Sequence, residues 1–263
     1  MSPKPSSIAI VLAYLSLAAP AVAQTAPAPQ AATAAERAAY ERLDPLARSV
    51  VWQRERDLNP ADPVAGVKVA EALRQLGQYD QAAQAAEQVL LVQPNNAEAM
   101  LEVGRAHIAR GQAFYGIAAL EKARTIDPRD WRPLSLLGVA YNQVRRKDDA
   151  RAAWAEGLRL SPDNADILTN AAIALMADGN VAGAEPLLRR AVAQPNATLK
   201  MRQNLALVIG LQGNMAEAET MLRRDLPPEQ ADQNLNWLRS RQTTPAATGD
   251  APATARTWDS LSQ

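Results

Sequence analysis

Few side chains in this sequence could carry out covalent or metal chemistry. There is one His, His107, and no Cys, so a disulfide scaffold and a Cys-ligated zinc site are excluded, and one imidazole cannot make a metal site alone. His107 shares its position at 34-residue intervals with Leu73, Tyr141, Leu175 and Ile209, which marks it as a packing residue. No phosphate-cradling loop opens a helix, because Gly77, Gly111, Gly179 and Gly213 each stand singly between apolar runs. The chemistry that remains is binding, with no catalytic residue and no cofactor. Asn170 and Asn204 share one position of the same interval, and an amide offers both a donor and an acceptor to the backbone of an extended peptide. Arg145-Arg146-Lys147, followed by Asp148-Asp149, reads as a solvated charged corner. Near the end, Trp258 and Leu261 stand three apart in a polar stretch. They read either as a tail folded onto the last helix or as a short docking peptide.

The elements that must position these residues are helices. Lys plus Arg number 28 and Asp plus Glu 28 in 263 residues, so a polybasic nucleic-acid binder is not expected. Counting gives 55 Ala and a single Phe. Ala is the best helix former and has little side chain with which to build a deep interior, so the composition implies thin helices packed closely through small residues. Ala70, Gly104, Gly138, Ala172 and Ala206 recur every 34 positions, as do Ala82, Gly116, Ala150, Ala184 and Ala218. Between these two series lie Gly77, Gly111, Gly179 and Gly213, with Arg145 alone breaking the turn series. Each unit has apolar residues spaced three and four apart, a turn, a second such run, and a stop such as Asp127-Pro128 or Ser161-Pro162. That order is helix, turn, helix, stop.

The ends read differently. Lys4, an apolar run from Ile8 to Ala19 and then Ala21-Val22-Ala23 have the order of a cleavable secretory signal over residues 1–23. The run is shorter than the ~20 residues of a membrane span, and no Cys is present to take a lipid, so a soluble periplasmic product without direct membrane insertion is expected. Residues 24–43 read as a flexible linker with a short capping helix, 44–242 as the helical array, and 243–263 as a flexible tail. Trp52 and Pro60 stand in phase with Trp154 and Pro162, so residues 44–59 look like the second helix of an incomplete sixth unit. Pro195 comes one place early against Pro94, Pro128 and Pro162, which predicts a local change of linker.

The pattern of Leu137-Gly138-Tyr141, Ala150, Trp154 and Pro162 resembles the tetratricopeptide repeat family. That resemblance implies an all-α, right-handed superhelical solenoid of about five full repeats plus capping helices. It also implies a concave wall made from the first helix of each repeat, lined by Lys68, Glu71, Arg74, Glu102, Arg105, Asn142, Asp166, Asn170, Lys200 and Asn204. A peptide-binding groove carried by Asn170, Lys200, Asn204, Asn142 and Arg105 follows from it. Met201 to Gly213, Arg224-Asp225-Leu226-Pro227-Pro228-Glu229-Gln230 and Arg256-Thr257-Trp258 are similar to the TadD-type tight-adherence (Flp) pilus assembly proteins. This narrower similarity implies a periplasmic interaction scaffold whose partners are the pilus secretin or other parts of the secretion machinery. The repeats alone equally permit a general envelope-biogenesis module serving peptidoglycan or outer-membrane assembly partners.

Overall fold

The structure, a computed structural model, describes residues 30–243. The chain divides into two units, Met1–Gln30 and Ala31–Gln263. Of the first only Gln30 is described, exposed and outside any helix. The expected signal segment and residues 244–263, with Trp258 and Leu261, lie outside the described residues.

Within the second unit the described residues form thirteen α-helices. A short α1 (Ala34–Tyr40) and α2 (Pro45–Leu58) precede five hairpins: α3 (Pro63–Gln75) with α4 (Tyr79–Val92), α5 (Ala97–Ala109) with α6 (Phe114–Ile126), α7 (Arg132–Gln143) with α8 (Lys147–Leu160), α9 (Ala165–Ala177) with α10 (Val181–Val192), and α11 (Leu199–Leu211) with α12 (Met215–Asp225). A terminal α13 (Pro228–Thr243) follows. Each helix packs against the next in antiparallel order. The fold is the all-α repeat solenoid that the period implies.

The starts of the first helices are fixed by side chains that recur with the period. Asp62, Asn96, Asn164 and Thr198 cap α3, α5, α9 and α11, each accepting a backbone N–H of the first turn through its side-chain oxygen. Asp130, in the same phase, accepts the Arg132 N–H at 2.9 Å and starts α7. The ends of the first helices are fixed by a left-handed residue. Gly77, Gly111, Gly179 and Gly213 take φ of 75°, 79°, 79° and 95°. The residue after each turns back so that its N–H reaches the carbonyl of Leu73, His107, Leu175 or Ile209, which closes the last turn of the helix. In the third repeat Arg145 holds this conformation at φ 66°, and the Arg146 N–H reaches the Tyr141 carbonyl at 2.8 Å. The break in the turn series therefore changes the residue and leaves the turn intact. The early Pro195 does alter its linker: α10 stops at Val192 and Ala193 is its C-cap, because the residue before a proline is disfavoured in the helical region.

The hairpins close through their small residues. Ala70, Ala172 and Ala206 on first helices and Ala82, Ala150, Ala184 and Ala218 on second helices are all buried. A Cβ on Gly116 would stand 3.0 Å from the Gly104 Cα, so at the α5–α6 crossing two backbones touch. A Cβ on Gly138 would run into the indole of Trp154, whose Nε1 donates to the Ser135 carbonyl at 3.2 Å. Larger side chains fill the space beside each crossing, among them Leu101, Leu120, Leu137, Ile167, Leu188 and Leu222. Tyr141 joins α7 to α6 by donating its hydroxyl to Glu121 at 2.6 Å, and the Arg146 guanidinium lies 4.3 Å over its ring.

Successive hairpins are not related symmetrically. The first helices α3, α5, α7, α9 and α11 touch one another in sequence, whereas the second helices α4, α6, α8, α10 and α12 make no comparable contacts among themselves. A stack in which one row of helices is closer than the other must bend toward the closer row, so the first helices form the inner wall. The ends of the stack are covered. At one end Glu55 of α2, 1% exposed, accepts the Ala32 N–H and the Arg37 guanidinium, and Tyr40 meets Trp52 edge to face at 5.3 Å. At the other, Ala231, Leu235 and Leu238 of α13 are buried against α11 and α12.

Three outcomes are expected from this packing. Gly138→Ala should destabilise by about 1–3 kcal/mol through overpacking, although Ala is the better helix former by about 1 kcal/mol. Arg145→Gly should stabilise by about 1 kcal/mol by relieving a left-handed non-glycine residue. Thermal melting followed by circular dichroism checks both, and equal midpoints would contradict the crossing and the turn. Burial, followed by the hydrogen bond to Glu121, pushes the Tyr141 phenol up to about 12. A raised phenol favours the neutral form in the fold, so this contribution is present below the ordinary value near 10 and is lost as pH rises through about 12. Ultraviolet titration of the native protein should show one late-forming tyrosinate that is absent from Tyr141→Phe.

Candidate binding wall

Along the inner wall one position of each first helix points between neighbouring repeats. It is held by Lys68, Glu102, Leu136, Asn170 and Asn204, and all five are half-buried or buried. Their packing follows from the contact between first helices, which leaves this phase against the adjacent repeat. Polar side chains here must find partners inside the wall, because burying them unpaired is unfavourable.

The first two full repeats meet that demand with charge. Glu102 on α5 is 3% exposed and takes the Arg74 Nε at 2.9 Å and the Arg105 Nη1 at 2.5 Å. Lys68 on α3 lies 3.0 Å from Glu71 and 3.1 Å from Glu41, and Arg48 of α2 stands 3.6 Å from Glu71. Glu98 at the start of α5 is held by Arg132 of α7 at 2.6 Å, and Arg132 also contacts Asp130. Between α3 and α5 opens a cavity of about 640 Å³, lined by Pro63, Val64 and Val67 and by the polar groups Lys68, Glu71, Arg74, Asn96, Glu98, Glu102 and Arg105. It combines an aliphatic strip with fixed charges.

Of the residues expected to carry binding, Arg105 lines this cavity. Asn142 is half-buried at the mouth of a separate, mostly apolar cavity of about 200 Å³, with Trp154, Leu158 and Leu175. Asn170 is half-buried on α9 and Lys200 is exposed on α11. Asn204 is 4% exposed, and its Nδ2 has no hydrogen-bond partner. Thr169 of the neighbouring α9 is also buried, with its hydroxyl unpartnered. The two amides of the expected ladder are thus unequal: one is available at the wall surface and the other is closed into it. None of Asn142, Asn170, Lys200 and Asn204 shares the α3–α5 cavity with Arg105. The Glu102–Arg105 pair is legible as opposite charges three apart on a helix. The pairing of Arg74 with Glu102, 28 positions away, and the aliphatic strip of Val64 and Val67 carry no local signal.

His107 is 8% exposed, with its Nε2 3.7 Å from a Glu87 carboxylate oxygen and its ring 5.8 Å from that of Tyr115. It packs between helices. Among the described residues no group of three or more His, Asp or Glu converges to hold a metal, and no helix is long and apolar enough to cross a membrane.

The closed amide of Asn204 generates a stability test. An unpaired buried polar group is unfavourable by about 1–3 kcal/mol, so Asn204→Leu, similar in volume, should leave the melting midpoint unchanged or raise it. A marked fall in the midpoint would show that the amide has a partner.

The tetratricopeptide repeat family matches residues 69–130 and 135–198, the span from α3 into the α10–α11 linker. No curated protein matches the chain. Among solved structures, a thermophilic tetratricopeptide repeat protein of Thermus thermophilus superposes with a TM-score of 0.59 at 20% identity, over 66% of this chain and 94% of that one. A tetratricopeptide repeat protein from Parabacteroides merdae gives a TM-score of 0.62 at 11% identity, over 78% and 80%. MamA from Desulfovibrio magneticus, from its residue 41 to its end, gives 0.52 at 19% identity, over 60% and 90%. At these identities the likeness is one of fold. The 34-residue period, the five hairpins with their inner row of first helices and the matched segments agree: the chain carries tetratricopeptide repeats and folds as the solenoid of that family, the architecture of a protein–protein interaction module.

Proposed function

We propose that this protein is an exported, non-catalytic scaffold that captures an extended segment of a partner along its wall of first helices. The partner would belong to the secretin-containing machinery through which a Flp-type pilus leaves the cell. The observation that carries the binding reading is the α3–α5 cavity of about 640 Å³, which crosses a repeat boundary on the inner row and joins an aliphatic strip to fixed charges. A cleft of that size and mixed lining suits several residues of polypeptide. From there the segment would run along the row past Asn142 toward Asn170, Lys200 and Asn204. Export is supported by Lys4, the Ile8 to Ala19 run and Ala21-Val22-Ala23. The pilus assignment is supported by the similarity of the last repeat, the Asp225 to Gln230 segment and Trp258 to the TadD-type proteins.

A repeat array of this kind acts by holding its partner in one geometry. Its rigidity comes from crossings that leave no slack, so a bound segment loses its own freedom and orders little of the scaffold. The effect is therefore stoichiometric and scales with the amount of protein.

Clean deletion of the gene should remove surface pili and secretin multimers together, with recovery proportional to the complementing dose. Normal pili with intact multimers would assign the wall to another envelope partner. At the residue level, Asn170→Ala should weaken partner capture severalfold, since one hydrogen bond contributes about 0.5–1.5 kcal/mol, whereas the closed amide of Asn204 is not expected to matter for capture. Capture that survives this change but is lost on removing residues 243–263 would move the contact to the tail that holds Trp258 and Leu261.

A further inference from the structure

We propose that the apolar cavity between α8 and α9 is the seat of this chain's own C-terminal segment, with the indole of Trp258 inside it and Asp259 at its rim. The site lies outside the α3–α5 groove and does not depend on what the inner wall binds. Its origin can be read across the repeats. The second helix of one repeat and the first helix of the next face each other through one recurring pair of positions. At the α4–α5 junction the pair is Glu87 and His107, 3.7 Å apart. At α6–α7 it is Glu121 and Tyr141, joined at 2.6 Å. At α8–α9 the same positions hold Ala155 and Leu175, so no polar bridge forms, whereas Gln53 and Arg189 supply long side chains at the first position in other repeats. Ala171 makes a second deficit, standing where Val69, Val103, Leu137 and Leu205 are buried in other repeats. Two missing side chains leave the cavity of about 200 Å³, walled by Trp154, Leu158, Ala174 and Leu175 beside the two alanines. Such a lining offers water few hydrogen bonds and leaves the surrounding atoms without packing partners, so it favours an apolar side chain.

The occupant follows from the path of the chain. α13 packs antiparallel to α12 and so runs in the direction of the first helices, which brings Thr243 out on the edge where the hairpin turns lie. The cavity opens on that edge, with Asn142 at the end of α7, Lys147 at the start of α8 and Asp178 just past α9. Packed helices lie about 8–10 Å apart, so α9 and α7 stand about 20–30 Å back along the row from α13. Residues 244–257, fully extended, span up to about 46 Å. Trp258 and Leu261 are the only large apolar side chains after Thr243. Charge matches as well. Trp258 lies between Arg256 and Asp259, and the rim carries both signs, with Lys147 paired to Asp178 and Arg151 paired to Asp148. Arg145, in the turn between Asn142 and Lys147, is exposed and makes no ion pair among the described residues. Its left-handed backbone would be relieved by the glycine that the other four turns use. The side chain kept there instead supplies an uncompensated cation beside the mouth, where Asp259 would arrive.

The chain has no Cys, so an introduced pair reports the contact alone. In the full-length protein Ser260→Cys is combined with Ala155→Cys at the cavity, or with Ala216→Cys, which is exposed at the start of α12 and nearer to α13. Ala216 is the position that a tail lying on the last repeat would reach first. Under mild oxidation the Ala155 pair should form a disulfide within one chain at least tenfold faster than the Ala216 pair, and adding Trp258→Ala should remove that advantage. Melting gives a second reading. Trp258→Ala should lower the midpoint by a few degrees in the native background and have no effect beside Ala155→Phe, whose ring occupies the cavity. Ala155 is itself exposed, so that substitution leaves the helix crossings intact. Faster bridging to Ala216, bridging to Ala155 that is indifferent to Trp258→Ala, or an unchanged midpoint in Trp258→Ala overturns the inference. A disulfide that joins two chains and grows with protein concentration assigns the cavity to the tail of a second copy and overturns the seat within one chain.

Discussion

The distance at which two antiparallel helices can cross governs this structure. Where Gly104 meets Gly116 the backbones are in contact, and where Gly138 faces Trp154 there is no room for a methyl group. Close crossings place the helix axes near each other and leave the volume beside the crossing to Leu, Ile and Trp side chains. Each hairpin is therefore thin and buries its small residues against its own partner. Its remaining apolar surface can be covered only by the next hairpin, and that shortage makes the chain stack its repeats rather than fold around one centre.

Stacking then decides what the polar residues experience. Because the first helices touch and the second helices do not, one face of the array is compressed, and a residue in the phase of Glu102 or Asn204 is pressed against the neighbouring repeat. The first two repeats place ion pairs there and satisfy them. The last two place Asn170 and Asn204 there, and the Asn204 Nδ2 is left unpaired, as is the hydroxyl of Thr169 one position before Asn170. One wall thus has two chemical characters, a charged end organised around a shared carboxylate and a neutral end carrying unspent hydrogen-bonding capacity. The charged end faces the open groove, whereas the unpaired atoms of the neutral end are closed inside the wall.

The ends of a stack would expose an uncovered face, and each end solves this with different chemistry. At α13 the cover is apolar, with Leu238 against Gly210. At α1 it is polar, with Glu55 gathering the Ala32 N–H and the Arg37 guanidinium while Arg37 reaches on to Asp62. A short helix with no buried residue of its own is held by directed bonds because it has little apolar area to bury. The exposed pair Phe114 and Tyr115, at 71% and 65%, shows the converse. The chain's only Phe lies at the start of a second helix and serves no crossing.

The period, the hairpins, the caps and the small residues at the crossings could be read from the sequence, because each depends on spacing along one or two helices, and helical spacing is set by the backbone. The packing position of His107, in a phase shared with Leu73, Tyr141, Leu175 and Ile209, was legible for the same reason. Even the unusual third turn was visible as Arg145 in place of Gly, although its unchanged left-handed backbone was not. The site was legible only as a wall and a set of polar residues facing it. That Arg74 and Arg105 converge on one buried Glu102, that Val64 and Val67 line the groove beside them, and that Asn204 is closed off while Asn170 stays at the surface depend on how far one repeat tilts against the next. That tilt comes from many side chains packing across repeat boundaries, from residues about thirty positions apart, and no local pattern encodes it. Sequence set the kind of element and its interval, and tertiary packing decided which polar groups were buried together, because burial is a property of the space between repeats.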